Sequence, residues 1–189
     1  MVSVPDPRTS ESPPGTIWVQ SNLLPNGRYV VAVHYDADRS RVLDRDEALK
    51  YAAAVHALAT HAEHDAAVAA QLSQLGLPRD AVAQAVVDLR ARRPAIEEAI
   101  TAPLSLTPSV SASRGVGYLK LSISGRLIAQ WEVADARDHA NNVLTVLAAV
   151  DLDAVYRRYL VMTVGLDRNR AERVVDDLAK HIANGNRRG

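Results

Sequence analysis

The sequence predicts an α+β protein: a tandem duplication of a roughly 85-residue βββααα unit, with small antiparallel sheets and helices packed on one face. Two observations carry this. First, the chain repeats itself. Gly76, Leu77, Arg79, Val86, Asp88 and Leu89 recur as Gly165, Leu166, Arg168, Val175, Asp177 and Leu178, an offset of 89 residues. Upstream, an offset of 88 pairs Ala48, Ala52, Val55, Asp65, Ala66 and Leu72 with Ala136, Ala140, Val143, Asp153, Ala154 and Leu160. One inserted residue reconciles the two offsets. Second, each copy passes from period-two alternation to apolar residues at helical spacing, in the same order.

The expected organisation follows. Residues 1–15 hold four prolines and three serines, too little apolar surface to offset their ordering entropy, so a disordered arm is expected there. The first copy covers 16–93, a linker 94–103, the second copy 104–183 and a polar tail 184–189.

Within the first copy, Thr16 to Val19 reads as a short strand. The segment Leu24-Pro25-Asn26-Gly27 carries the Asn-Gly hairpin signal. From Arg28 to Tyr35 the chain is β-branched and aromatic, with Tyr29, Val31, Val33 and Tyr35 on one face. Arg41 to Leu43 suggests a third brief strand. Asp44 with Glu47 forms a capping box, and Ala48, Tyr51, Ala52, Val55, Ala59 and Ala62 make one apolar helical stripe. A second helix is expected over Asp65 to Gln74, ended by Gly76 in the left-handed C′ position. Pro78 then opens a third helix carrying Val82, Ala85, Val86 and Leu89, closed near Pro94.

A short helical bridge is expected over Ala95 to Ile100. In the second copy, Leu104 to Leu106 replaces the first strand and Arg114 to Gly117 the Asn-Gly turn. Leu119, Leu121 and Ile123 alternate inward, Ser124-Gly125 turns the chain, and Leu127 to Val133 is a longer third strand. Helices are expected from Ala136 to Ala149, Leu152 to Thr163 and Arg168 to Ile182. The two copies are expected to pair about a pseudo-twofold axis rather than sit as independent beads, giving a monomer with internal symmetry or a homodimer.

Composition narrows the function. Lysine and arginine (22) balance aspartate and glutamate (22), so no bulk field draws the chain to nucleic acid or anionic lipid. There is no cysteine, which removes disulfides, thiolate ligands and thiol nucleophiles. No apolar run reaches the roughly 18 residues of a membrane span. The first residues lack the basic-then-apolar order of a secretory signal, so a cytoplasmic setting is the expectation.

The candidate sites are where the copies diverge. Asp138, His139 and Asn142 replace Lys50, Tyr51 and Ala54; Asp138 and Asn142 share a helix face. Tyr156, Arg157, Arg158 and Tyr159 replace Val68, Ala69, Ala70 and Gln71. Arginines interleaved with aromatics suit a protein contact. These seven are the candidate partner-binding residues, and another protein is the expected partner.

The alternative is a DNA-binding regulator using helix-turn-helix-like pairs around Gly76 and Gly165, with Arg168, Asn169, Arg170 and Arg173 as candidate DNA contacts. A third reading, a small enzyme or metal protein, rests on His61 and His64 three apart on a helix, or on Asp138 with His139. No HExxH, phosphate loop or GxSxG accompanies them, so no catalytic residue, cofactor or metal is assigned. The leading expectation is a non-catalytic tandem-repeat binding protein, a protein–protein adaptor or accessory factor, for example of phage or mobile-element type.

Overall fold

The computed structural model describes residues 17–36, 39–94, 96, 104–111 and 114–185. The elements run β1 (Trp18–Leu23), β2 (Tyr29–Asp36), β3 (Arg39–Leu43), α1 (Arg45–Gln74), α2 (Arg79–Ala91), β4 (Leu104–Val110), β5 (Gly117–Ile123), β6 (Arg126–Glu132), α3 (Val133–Met162) and α4 (Arg168–Gly185). The strands form two separate antiparallel sheets, ordered β1-β2-β3 and β4-β5-β6. The chain is thus α+β, and the order β-β-β-α-α occurs twice. The expected arm (1–15), nearly all of the bridge over Ala95 to Ile100, and residues 186–189 lie outside the described residues.

The turns follow from local chemistry. Gly27 sits at φ +79°, its N–H donating to Leu24 O at 2.8 Å, while Asn26 Oδ1 accepts from Arg28 N–H at 3.0 Å. Ser124 and Gly125 both have positive φ (49° and 80°), the mirror-image turn whose twist matches a two-residue hairpin. Alternation then divides each sheet. Val31, Val33 and Tyr35, with Leu119, Leu121 and Ile123, face the core. On the other face of the first sheet, Trp18 stacks on its cross-strand neighbour His34, with ring centroids 4.8 Å apart.

The helices correct the expected count from three per copy to two. The stretch from Asp44 to Gln74 contains neither glycine nor proline, so nothing interrupts the backbone ladder, and the two helices expected there fuse into the 30-residue α1. The pieces expected from Ala136 and from Leu152 fuse likewise into the 30-residue α3. Asp44 caps α1 with Glu47 in a reciprocal capping box. Gly76 and Gly165 end the long helices at φ +82° and +79°, where Leu77 N–H returns to Leu72 O at 3.2 Å. Pro78 stands at the N-cap of α2 rather than inside its first turn.

The long helices change partners. Helix α1 follows the first sheet, yet packs mainly on β4 and β5; α3 follows the second sheet, yet packs mainly on β1 and β2. They also pack on each other, antiparallel: Arg45 meets Asp151, Tyr51 meets His139, and Glu63 meets Arg137. Small buried residues line α1 (Ala48, Ala52, Ala59) and α3 (Ala136, Ala140), and they let the backbones approach. One continuous core therefore draws on both sheets and both helices.

Gly117 marks how tight the fit is. A Cβ there would fall on the backbone carbonyl of Ala62 in α1. The matching point of β2 holds Tyr29, the cross-strand neighbour of Leu23, packed against the core.

Candidate functional site

The crossed packing builds clefts that take walls from both halves, two of them at matching places in the halves. One lies between α2 and the β4–β5 hairpin, over Ala69, Ala70 and Ser73 of α1; it encloses about 470 Å³. The other lies between α4 and the β1–β2 hairpin, beside Asp153 of α3, and encloses about 460 Å³. Val86 and Val175, an offset of 89 apart, line the first and second cleft respectively.

Their polar contents differ. In the first half Asp65 is fully buried between Arg90 Nε and Arg93 Nη2, each 2.6 Å from a carboxylate oxygen. This double ion pair ties the end of α2 to α1. Its sequence match, Asp153, has no such arginines. The α4 position matching Arg90 is Ala179, and Asp153 accepts instead from Ser21 Oγ at 3.3 Å. Burial raises the Asp153 carboxyl above its ordinary range, the Ser21 hydroxyl opposing the shift. Burial, then Asp153, also push the Tyr29 phenol up. The lining of the second cleft therefore holds three carboxylates, Asp153, Glu172 and Asp176, and one arginine, Arg173, with Glu172 and Asp176 paired to Arg157 and Lys180 just outside it.

The residues singled out by sequence divide sharply. Arg157 is an internal strut, with a side chain only 15% exposed. Its Nη1 donates to Gly27 O at 2.8 Å and its Nη2 pairs with Glu172 Oε1 at 2.7 Å, locking the β1–β2 turn to α4. Gly27 is favoured here by its positive φ, and a Cβ would also push the guanidinium, met at 2.7 Å, off its contacts. Tyr156, Arg158 and Tyr159 are exposed. Arg157→Ala should lower stability by about 2 kcal/mol, since it leaves a carbonyl and a carboxylate unpaired, whereas Arg158→Ala should stay within about 0.5 kcal/mol. Thermal melts of the two variants decide this, and equal melts would refute the strut.

Asp138, His139 and Asn142 do not converge. Asp138 and Asn142 are exposed, while His139 is buried, its Nε2 3.1 Å from Tyr51 Oη and its ring 4.7 Å from that of Trp131. Tyr51 and His139 occupy matching positions, 88 apart, where the long helices pack. Burial lowers the His139 pKa from 6.5 to about 4 and raises that of Tyr51. Unfolded His139 takes up a proton as pH falls through 6.5, but folded His139 stays neutral until about 4. Stability should therefore fall between pH 6.5 and 4, by about 3 kcal/mol from this group, with no further loss from it below that window. Urea midpoints at pH 7 and pH 5 should show the drop in the wild type and a smaller one in His139→Phe; identical drops would rule His139 out as the source.

The α4 residues Arg168, Asn169, Arg170 and Arg173 are exposed. Arg170 Nε lies 3.3 Å from Asp167 and Arg173 Nε donates to Asn169 O at 3.4 Å. Glu172, Asp176 and Asp177 stand on the same helix, opposing a phosphate backbone. Arg168 meets Arg157, Arg158 and Met162 around a smaller depression of about 280 Å³. His61 is half-buried and His64 exposed. Among the described residues no group of three or more histidine, cysteine, aspartate or glutamate side chains is placed to hold a metal, and no helix is long and apolar enough to cross a membrane.

Sequence reasoning passed over the clefts themselves and the Asp65 ion pairs. The shared acid at Asp65 and Asp153 was the available signal, because an aspartate on the apolar stripe of a helix has to find a partner. Comparison of the chain with protein-family models, with curated proteins and with solved structures finds no match.

Proposed function

We propose that this chain is a non-catalytic binding protein that arose by tandem duplication of a βββαα unit and acts by holding another protein. The observation that carries the reading is the pair of composite clefts, one at each end of the long-helix pair, each needing both halves to exist. Duplication is supported by matched positions with matched roles: Gly76 and Gly165 end the long helices, Tyr51 and His139 meet where those helices pack, and Asp65 and Asp153 stand beside the clefts. An ancestral unit that exchanged helices with a second copy would have made the same cleft twice over, and fusion frees the two to diverge. Their different linings, basic in one and rich in carboxylates in the other, are what such divergence produces. The exposed Tyr156, Arg158 and Tyr159 add contact surface outside the clefts.

The test is affinity capture from native lysate with the full chain, run with and without nuclease. A defined protein recovered equally in both arms is the expected result. Recovery only of nucleic acid, or of proteins lost on nuclease treatment, would replace this reading with that of a DNA-binding regulator.

A further inference from the structure

We propose that the cleft between α2 and the β4–β5 hairpin receives a short acidic segment of a partner protein, anchored by one or two apolar side chains. This rests on the protein-binding reading above and assigns it a site and a chemistry.

Charge is the first argument. Arg79, Arg90 and Lys120 border the cleft, and no carboxylate is among its lining residues. Arg90 is engaged with Asp65, which fixes its position. Arg79 and Lys120 have no ion-pair partner among the described residues, so their charges are available to a ligand. The matching cleft at α4 is lined instead by Asp153, Glu172 and Asp176, with Glu172 paired to Arg157 and Asp176 to Lys180. An acidic segment therefore finds unpaired cations at Arg79 and Lys120 and only carboxylates and one arginine, Arg173, at the other cleft, a difference that sets specificity.

Shape is the second. Val82, Val86 and Val87 on α2 face Val110 and Tyr118 on the hairpin, giving apolar walls in a volume typical of side-chain and small-ligand pockets, roughly 300–1,000 Å³. Nucleic acid fits poorly, since Tyr118 is the only aromatic ring in the lining and valine offers no stacking plane.

The edge of the sheet supplies the third. Ser111 N–H donates to Val116 O at 2.9 Å, and alternation in an antiparallel ladder then turns the N–H and C=O of Val110 away from β5. Two residues back along the same edge, Pro108 has no N–H to offer. A bound segment can add to the edge at Val110 but cannot extend as a strand past Pro108. Recognition is therefore short and carried by side chains.

A displayed library of short random peptides, selected on the full chain, reads this directly. Enriched peptides should combine aspartate or glutamate with aliphatic residues. Their binding should fall about tenfold or more in Arg79→Glu with Lys120→Glu, whose melting temperature stays unchanged because both side chains are exposed. Enrichment of basic peptides, binding indifferent to the double substitution, or displacement of the peptides by an oligonucleotide would overturn the assignment. A lysate partner still captured by the double variant would leave the protein-binding reading standing and remove only this cleft. Failure to select any peptide, together with an empty capture, would remove both.

Discussion

Expressed as separate chains, residues 1–96 and 104–189 should each fail to fold as monomers, and mixing them should restore a cooperative melt. The reason is the exchange of helices. Val31, Val33 and Tyr35 on the first sheet share their core with residues of α3 such as Ala140 and Val143, and Leu119, Leu121 and Ile123 on the second share it with residues of α1. Removing one half uncovers a whole sheet face. At about 1.5–3 kcal/mol for each large buried side chain, the loss exceeds the 5–15 kcal/mol by which a domain is normally stable. Circular dichroism of each fragment, then of an equimolar mixture, gives the answer. A fragment that melts cooperatively as a monomer would show that the unit is self-sufficient and would sink the prediction.

Asp65→Ala should cost about 3–5 kcal/mol, the steepest loss expected from any single substitution in this chain's polar contacts, while Asp153→Ala should cost less than about 1 kcal/mol. Asp65 is fully buried and offsets two arginines whose side chains are 31% and 16% exposed. Without it both guanidinium groups lose their counter-charge, and α2 loses its tether to α1. Asp153 is already poorly satisfied, with one long hydroxyl contact and a pKa raised by burial, so its removal relieves a desolvated charge. Urea titrations of the two variants measure the contrast. Equal losses would mean that the ion pairs are not what fixes α2, and that the difference between the two clefts has another origin.

Much of the fold was legible in the sequence because local chemistry dictated it. Asp44 and Glu47 announced the start of α1, Asn26-Gly27 and Ser124-Gly125 the hairpins, and the stripe from Ala48 to Ala62 the buried face. The helix break expected before Asp65 had no glycine or proline behind it, and the chain does not break there. What could not be read was which sheet each long helix covers. Ala52 and Val55 suit the inner face of either sheet equally well, and no periodicity records the choice. The candidate site was harder still. Arg157 and Arg158 are adjacent and chemically identical, yet one braces the Gly27 turn and the other meets solvent, and only the rotation of α3 separates them. His139 had the composition of a polar site and the position of a core residue, and position prevailed.

The exchange of helices also has a consequence for synthesis. Helix α1 ends at Gln74, but the strand that covers it is not complete until Ile123. At a ribosomal rate of about 5–20 residues per second, the apolar stripe through Tyr51 and Val55 spends several seconds outside the ribosome before its own sheet exists. The first half is thus the last to gain its native cover, and while it waits the nascent chain is open to capture by chaperones or by the emerging copy on a neighbouring ribosome.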